Sequence, residues 1–255
     1  MRYIKGFYMG LGMFTAIPLP FHIWDEKLTP IMVATLPLIG LLIGSIWWGA
    51  SELLLLLNAP TMIMSAILTV TPFFLAGFIH LDGYMDTSDA LLSRRDMQER
   101  LHILKDPLVG AFAVVMLAIL FLLQFAAMYT IVESGRYFAM IAVICTLSRA
   151  CSALAVLALR HMEGSNYAAM LGQKSGLLHG IFVVIVAICV TALAAVCFGI
   201  VGLTVSLSVI VGYAAAMRVV YKAFDGVSGD LLGYSLVIGE LCGLIALALL
   251  QGVLI

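Results

Sequence analysis

Three features of the sequence predict an all-α, polytopic transmembrane helix bundle. Apolar residues make up 64% of the 255 residues and charged ones only 11%, against roughly 25% charged in soluble domains. The mean hydropathy is +1.15, so an aqueous surface could not be built from this chain. Apolar runs of about 20 residues, the length of a bilayer-crossing helix, recur along most of it. The runs do not alternate apolar with polar, as the strands of a membrane barrel would.

The elements follow in order. Residues 1–24 are apolar after Arg2 and Lys5, but Pro18 and Pro20 interrupt them and no small-residue cleavage site is evident. An interfacial or re-entrant segment over residues 6–24 is therefore expected, not a removable signal or a straight crossing. About seven spans come next, near 31–57, 60–79, 108–131, 137–159, 177–198, 200–217 and 236–254. Asn58-Ala59-Pro60 divides the first two, and the glycines around Gly199 and Gly202 divide the fifth from the sixth. Gly40/Gly44 and Gly239/Gly243 have the small-xxx-small spacing of close helix packing. No internal repeat or linker is visible, so one integral-membrane domain over 1–255 is expected. The longest segment outside the spans is about 80–107.

Charge sets the orientation. If the spans alternate, Arg2, Lys5, Lys27, Arg94, Arg95, Arg100, Lys105, Arg160, Lys174, Arg218 and Lys222 fall on one side. The other side receives only Arg136, and Arg149 lies within a span. The positive-inside rule then places loops 80–107, 160–176 and 218–235 in the cytoplasm. A net charge of −1 with scattered basic residues gives no footprint for a nucleic acid. Cys145, Cys151, Cys189, Cys197 and Cys242 all lie in apolar runs without a C-x-x-C pair and read as packing residues.

The candidate chemistry begins at His80-Leu81-Asp82-Gly83-Tyr84-Met85-Asp86-Thr87-Ser88-Asp89. Asp82, Asp86 and Asp89 stand at i, i+4 and i+7, one face of a helix. Three carboxylates that close repel one another unless a cation sits among them, and hard oxygen ligands suit Mg²⁺. Gly83 would let a backbone or a phosphate approach. His80 could accept a proton. Arg100 and Lys105, with Asp106, could clamp phosphate oxygens at the membrane surface. Asp225-Gly-Val-Ser-Gly229-Asp230-Leu-Leu-Gly233 reads as a glycine-rich turn or a backbone cradle for phosphate, with Asp230 adding a metal or hydroxyl contact. Glu240 would open the last span and face that loop. Arg149, near mid-membrane, must pair inside the bundle, with Glu52 as one partner, or reach a polar cavity that would make it a substrate contact.

Two motifs resemble those of a known family. His80-Leu-Asp82-Gly-x-x-Asp86-Thr-x-Asp89-Ala90, with Arg100-Leu-x-Ile-x-Lys105-Asp106-x-x-x-Gly110-Ala-Phe112, resembles the signature of cobalamin (5′-phosphate) synthases, also called adenosylcobinamide-GDP ribazoletransferases. Val227-Ser-Gly229-Asp230-x-x-Gly233 is similar to that family's Gly-Val-Thr-Gly-Asp element. Phe14-Thr-x-Ile-Pro18 and Pro37-x-x-Gly40-x-x-x-Gly44 resemble its N-terminal region. The chain departs at Ala16, where the family usually has arginine, and at Asp225, where it commonly has glycine. Residues 160–172 match only loosely beyond Arg160.

The resemblance implies a Mg²⁺-dependent transferase that joins adenosylcobinamide-GDP to α-ribazole or α-ribazole 5′-phosphate and releases GMP. It implies metal ligation by Asp82, Asp86 and Asp89. Substrate contacts would come from Arg100, Lys105, Asp106, Gly229, Asp230 and Arg149. Partners are then these small molecules and membrane lipid; whether the chain is a homo-oligomer stays open. A CDP-alcohol phosphotransferase would carry Ala-Arg where Asp86-Thr87 stands. A UbiA-like prenyltransferase would need a second Asp-rich motif. A cation or metabolite transporter would place its acids at the midplane, often in repeated halves.

Overall fold

The computed structural model describes residues 1–162 and 177–253. Among them the secondary structure is helical apart from one β-bridge between His161 and Val227. Residues 163–172, part of the loosely matching loop, lie outside the described segments.

Helix α1 spans Arg2–Phe14 and buries Gly6, Met9, Gly10 and Phe14 on one side. At 13 residues it is about 20 Å long, too short to cross a bilayer alone. Extended chain follows it, and Ala16 N–H donates to the Leu75 carbonyl at 2.8 Å. The first expected span divides at Thr35 into α2 (Thr29–Ala34) and α3 (Leu36–Leu56). Helix α4 (Thr61–Leu75) contains Pro72 and stops before Gly77 and Phe78, both left-handed at φ +64° and +63°. The chain bends there by 92° into α5 (Ile79–Leu92). Helix α4 is apolar throughout, and α5 carries the charged residues from Asp82 onward.

A short α6 (Met97–Ile103) precedes α7 (Ala111–Ser134), which ends at left-handed Gly135. Next come α8 (Met140–Ala158), α9 (Leu177–Phe224) and α10 (Gly229–Val253). Helices α3, α7, α8, α9 and α10 are long and apolar enough to cross a membrane, and the bent α4–α5 pair qualifies as one more. Helix α9 is 48 residues long and breaks at Gly199 (φ +59°, ψ −137°). The Gly202 backbone lies against the Ala194 carbonyl, so the chain doubles back there. The division expected at these glycines is therefore real, and counting both limbs of α9 brings the crossings to about seven.

Helices α8 and α10 are the inner members, 78% and 72% buried over their apolar windows. Glycines bring the others against them. Added Cβ atoms at Gly40 and Gly44 would collide with the α8 backbone at Cys145 and Ala142. Those at Gly239 and Gly243 would lie 3.1 Å from Tyr213 Cβ and 2.5 Å from Val209 Cγ2 on α9. Both glycine pairs thus serve the packing inferred from their spacing.

Two expectations are corrected. The last span begins at Gly229, well before residue 236, because Ser228 acts as a helix start with its Oγ accepting from Leu231 N–H at 3.4 Å. Gly229 to Gly233 are consequently helical and not a loop. Glu240 therefore lies three turns inside α10 and faces α8, not the loop.

Candidate active site

The site is built where α5 crosses the first turns of α10. A Cβ on Gly83 would lie 2.7 Å from Asp230 Cα and 2.8 Å from its carbonyl oxygen. One turn deeper, a Cβ on Gly233 would lie 3.2 Å from both Cα and O of His80. The two helices run antiparallel in backbone contact, which only glycines allow. This contact sets Asp230 beside the acidic face of α5. The opposite face of α5 is packed: Tyr84 is buried, donates from its hydroxyl to the Met116 carbonyl at 3.2 Å and stacks on Tyr234 with centroids 5.5 Å apart. Thr87 and Ser88 are buried as well.

Electrostatics reflect the crowding. Asp86 is pushed up to about 6, first by burial and then by the charges of Asp82, Asp230 and Asp89. Removal of a proton from this group is opposed by three neighbouring carboxylates, the situation that a divalent cation relieves.

Asp89 has another engagement. Its Oδ1 accepts from Phe112 N–H at 3.2 Å, and the carboxylate lies against Gly110 where a Cβ would overlap it. Asp89 caps α7, and Gly110-Ala111-Phe112 is the notch that receives it. Among the described residues no three His, Cys, Asp or Glu side chains converge to hold a metal by themselves. The three-aspartate ligand set expected from spacing is thus not a closed cage; one face of α5 holds the acids, but the third turns to the neighbouring helix. Mg²⁺ commonly takes one or two carboxylates and completes its shell with water and phosphate. Asp82 and Asp86, with Asp230 beside them, suit that open arrangement.

The flanking residues fall into place around it. Asp96 caps α6 by accepting from Glu99 N–H at 3.0 Å. Asp106 accepts from Leu108 N–H at 3.0 Å and shapes the turn before α7. Helix α6 packs on α5, and Arg100 holds a buried Nε with no hydrogen-bond partner among the described residues. Lys105 is exposed. Residues 160–162 are tied to 225–227: Met162 N–H donates to Val227 O at 3.1 Å and Val227 N–H to Arg160 O at 3.0 Å. Asp225, at a position where glycine is common, has φ +51° and pairs with Arg160 at 3.2 Å. The left-handed backbone explains the glycine, and aspartate is among the few side chains that tolerate it.

Arg149, expected as a substrate contact or as half of an internal pair, is an internal partner in this fold. It is 2% exposed and paired with Glu240 inside the bundle. Its partner is not Glu52, which accepts from Trp48 Nε1–H at 2.8 Å. His80 lines a small, partly open cavity with Arg149 and Glu240. The Tyr84–Tyr234 stack and the Asp89 cap were missed in the sequence; Gly110, three residues after Pro107, was the only local hint of a notch.

With this geometry in view, comparison with known proteins is decisive. The family model described as CobS, cobalamin-5-phosphate synthase, matches residues 6–248. The chain belongs to this family. A Clostridium botulinum (strain Alaska E43 / Type E3) protein named adenosylcobinamide-GDP ribazoletransferase is 34% identical over 245 residues, 96% of this chain and 97% of the relative. A protein of the same name from Lachnoclostridium phytofermentans is 31% identical over 260 residues, covering 100% of this chain and 97% of the relative. Another, from Geobacillus kaustophilus, is 32% identical over 244 residues and 92% of each chain. No solved structure matches the chain. The CobS match includes α5, the α6–α7 turn and the start of α10, so every part of the carboxylate site lies within it.

Proposed function

We propose that the α5–α10 crossing is a Mg²⁺-dependent phosphotransfer site that joins adenosylcobinamide-GDP to α-ribazole or its 5′-phosphate and releases GMP. The observation that carries this reading is the backbone contact at Gly83, which sets Asp230 beside Asp82 and Asp86; burial first, and then these neighbouring charges, raise Asp86 above its ordinary value. Asp82, Asp86 and Asp230 would hold the cation. When bound, Mg²⁺ neutralises charge on the diphosphate and on the departing GMP phosphate.

The protein's own part is positioning. Arg100, with its unpartnered Nε, and Lys105 steady phosphoryl oxygens on the α6 side. The helix start at Gly229 and Asp230 turns the positive end of the α10 dipole toward the same side. A ribazole hydroxyl oxygen bonds to the cobinamide-side phosphorus as the bond from that phosphorus to the GMP oxygen breaks. The hydroxyl proton passes to a carboxylate of the cluster, since His80 lines the small cavity with Arg149 and Glu240. The distribution of basic residues supports a cytoplasmic position for this face, in the cell membrane of a prokaryote.

The test is GMP release by purified protein in detergent, without any ion gradient. Asp82→Asn and Asp86→Asn should fold and insert normally and lose about 100- to 1,000-fold in turnover, the scale of one deleted charge-stabilising group. Removal of Mg²⁺ should abolish release in the unaltered protein, and restoring it should recover the rate. Undiminished turnover in both variants contradicts the assignment.

A further inference from the structure

One layer beneath the carboxylates stands a buried ion pair that the chemistry above does not use. Arg149 on α8 is 2% exposed and Glu240 on α10 is 7%. Arg149 Nη1 contacts Glu240 Oε1, and Ser148 Oγ donates to the same oxygen at 2.9 Å. Arg149 Nη1 also donates to the Cys145 carbonyl at 3.2 Å. The arginine stem crosses α3 at Gly40, where a Cβ would lie 2.7 Å from Arg149 Cδ. One charged pair therefore joins α8 to α10 in a slot that α3 leaves open.

Charge at this depth is costly. Buried ion pairs are often replaceable by apolar side chains without loss of stability, so folding alone does not explain one. The cavity beside the pair points to a reason. Arg149, Glu240 and His80 line a space of ≈ 10 Å³ with Pro72 and Leu236, enough for about one water. It lies where the α4–α5 bend meets α10. His80 is the α5 residue in contact with Gly233, and the next contact outward is Gly83 against Asp230. From Glu240 to Asp230 is about 15 Å of continuous helix. A rotation or slide of α10 at Glu240 is carried rigidly to Asp230.

We propose that Arg149 and Glu240 are positioning residues for the carboxylate site. Their pairing fixes the height and rotation of α10 against α8, and the contact of Gly233 with the His80 backbone fixes the root of α5 against α10, so that Asp230 faces Asp82 and Asp86. The proposal rests on the reading of that cluster as a divalent-cation site.

The experiment uses the full chain in detergent, with Mn²⁺ as the probe and its electron paramagnetic resonance signal as a readout free of turnover. Arg149→Met/Glu240→Leu should keep its thermal midpoint and bind Mn²⁺ at least about tenfold more weakly, with GMP release reduced to match. A folded double variant with unchanged Mn²⁺ affinity and turnover overturns the proposal. If that variant does not fold, Arg149→Lys, which keeps the buried charge but loses the guanidinium contact with Glu240, carries the test. Weaker Mn²⁺ binding supports positioning and unchanged binding overturns it. Asp82→Asn separates the two readings: if it binds Mn²⁺ like the unaltered protein, the cation site itself is misplaced and the positioning argument falls with it.

Discussion

Gly83→Ala is the sharpest perturbation of the site, because it changes no charge and no hydrogen bond. The new methyl would sit 2.7 Å from Asp230 Cα and 2.8 Å from its carbonyl oxygen. Ordinary contact begins at 3.4 Å, and the obstructing atoms are backbone, which cannot rotate away. Helices α5 and α10 must therefore separate by about 0.7 Å or more at the level of the carboxylates. A misplacement of about 1 Å costs on the order of 100-fold in rate, so turnover should fall between about 10- and 100-fold. Overpacking of this size costs about 1–3 kcal/mol, which leaves the protein folded. The assay is steady-state GMP release at saturating Mg²⁺ and both substrates, with thermal unfolding alongside. Gly49→Ala is the control, since nothing lies within 4 Å of a Cβ there. Turnover of Gly83→Ala within twofold of the unaltered protein would refute the claim that this close approach assembles the site.

Three further outcomes follow from named contacts. Asp89→Asn should keep most of its turnover and its fold, because an amide oxygen can still accept from Phe112 N–H; a loss equal to that of Asp82→Asn would restore Asp89 as a metal ligand. Asp225→Gly should be within about 1 kcal/mol of neutral, relief of the φ +51° backbone offsetting lost chain stiffness and the exposed Arg160 pair, whereas Asp225→Val should destabilise by about 1–2 kcal/mol in urea unfolding. Asp86 titrates at about 6 against an ordinary 3.8, so between those values the folded state binds more protons than the unfolded one. Stability of metal-free protein should therefore fall as pH rises from about 4 to about 6.5 and level off above, and Mg²⁺ should raise the thermal midpoint more at the higher pH. A metal-free midpoint that climbs over that interval contradicts the crowding of carboxylates.

The crossings were legible because hydrocarbon imposes one rule on every residue of a span: about 20 apolar positions in a row. The acidic stripe was legible for a similar reason, since i, i+4 and i+7 spacing is a property of one helix. What the sequence hid were relations between helices. Asp89 belongs to the stripe by spacing, yet the entry of α7 claims it through Phe112 N–H. Arg149 had two acids within plausible reach, and only the packing of α3 on α8 through Gly40 shows why it turns to Glu240. The start of α10 was read as a loop because glycines at 229 and 233 disfavour helix locally. Each is instead required where α10 meets α5, and tertiary contact overrides the propensity.

Asp230 lies nearly 150 residues from Asp82, so no local preference can bring the two together. Like charges oppose the approach. The attraction must come from the far side of α5, where Leu81 and Tyr84 pack with Phe73, Leu120, Val237 and Leu241 and the tyrosine stack spans to α10. Apolar burial there is non-directional and tolerates small slides; the glycine contacts convert it into a fixed separation. The cluster is then held by packing in a geometry that its own charges resist. A cation should therefore tighten the α5–α10 crossing without building it. The consequence is asymmetric: stripping the metal loosens two helices at one end, while disrupting the Tyr84–Tyr234 face removes the site whether or not metal is supplied.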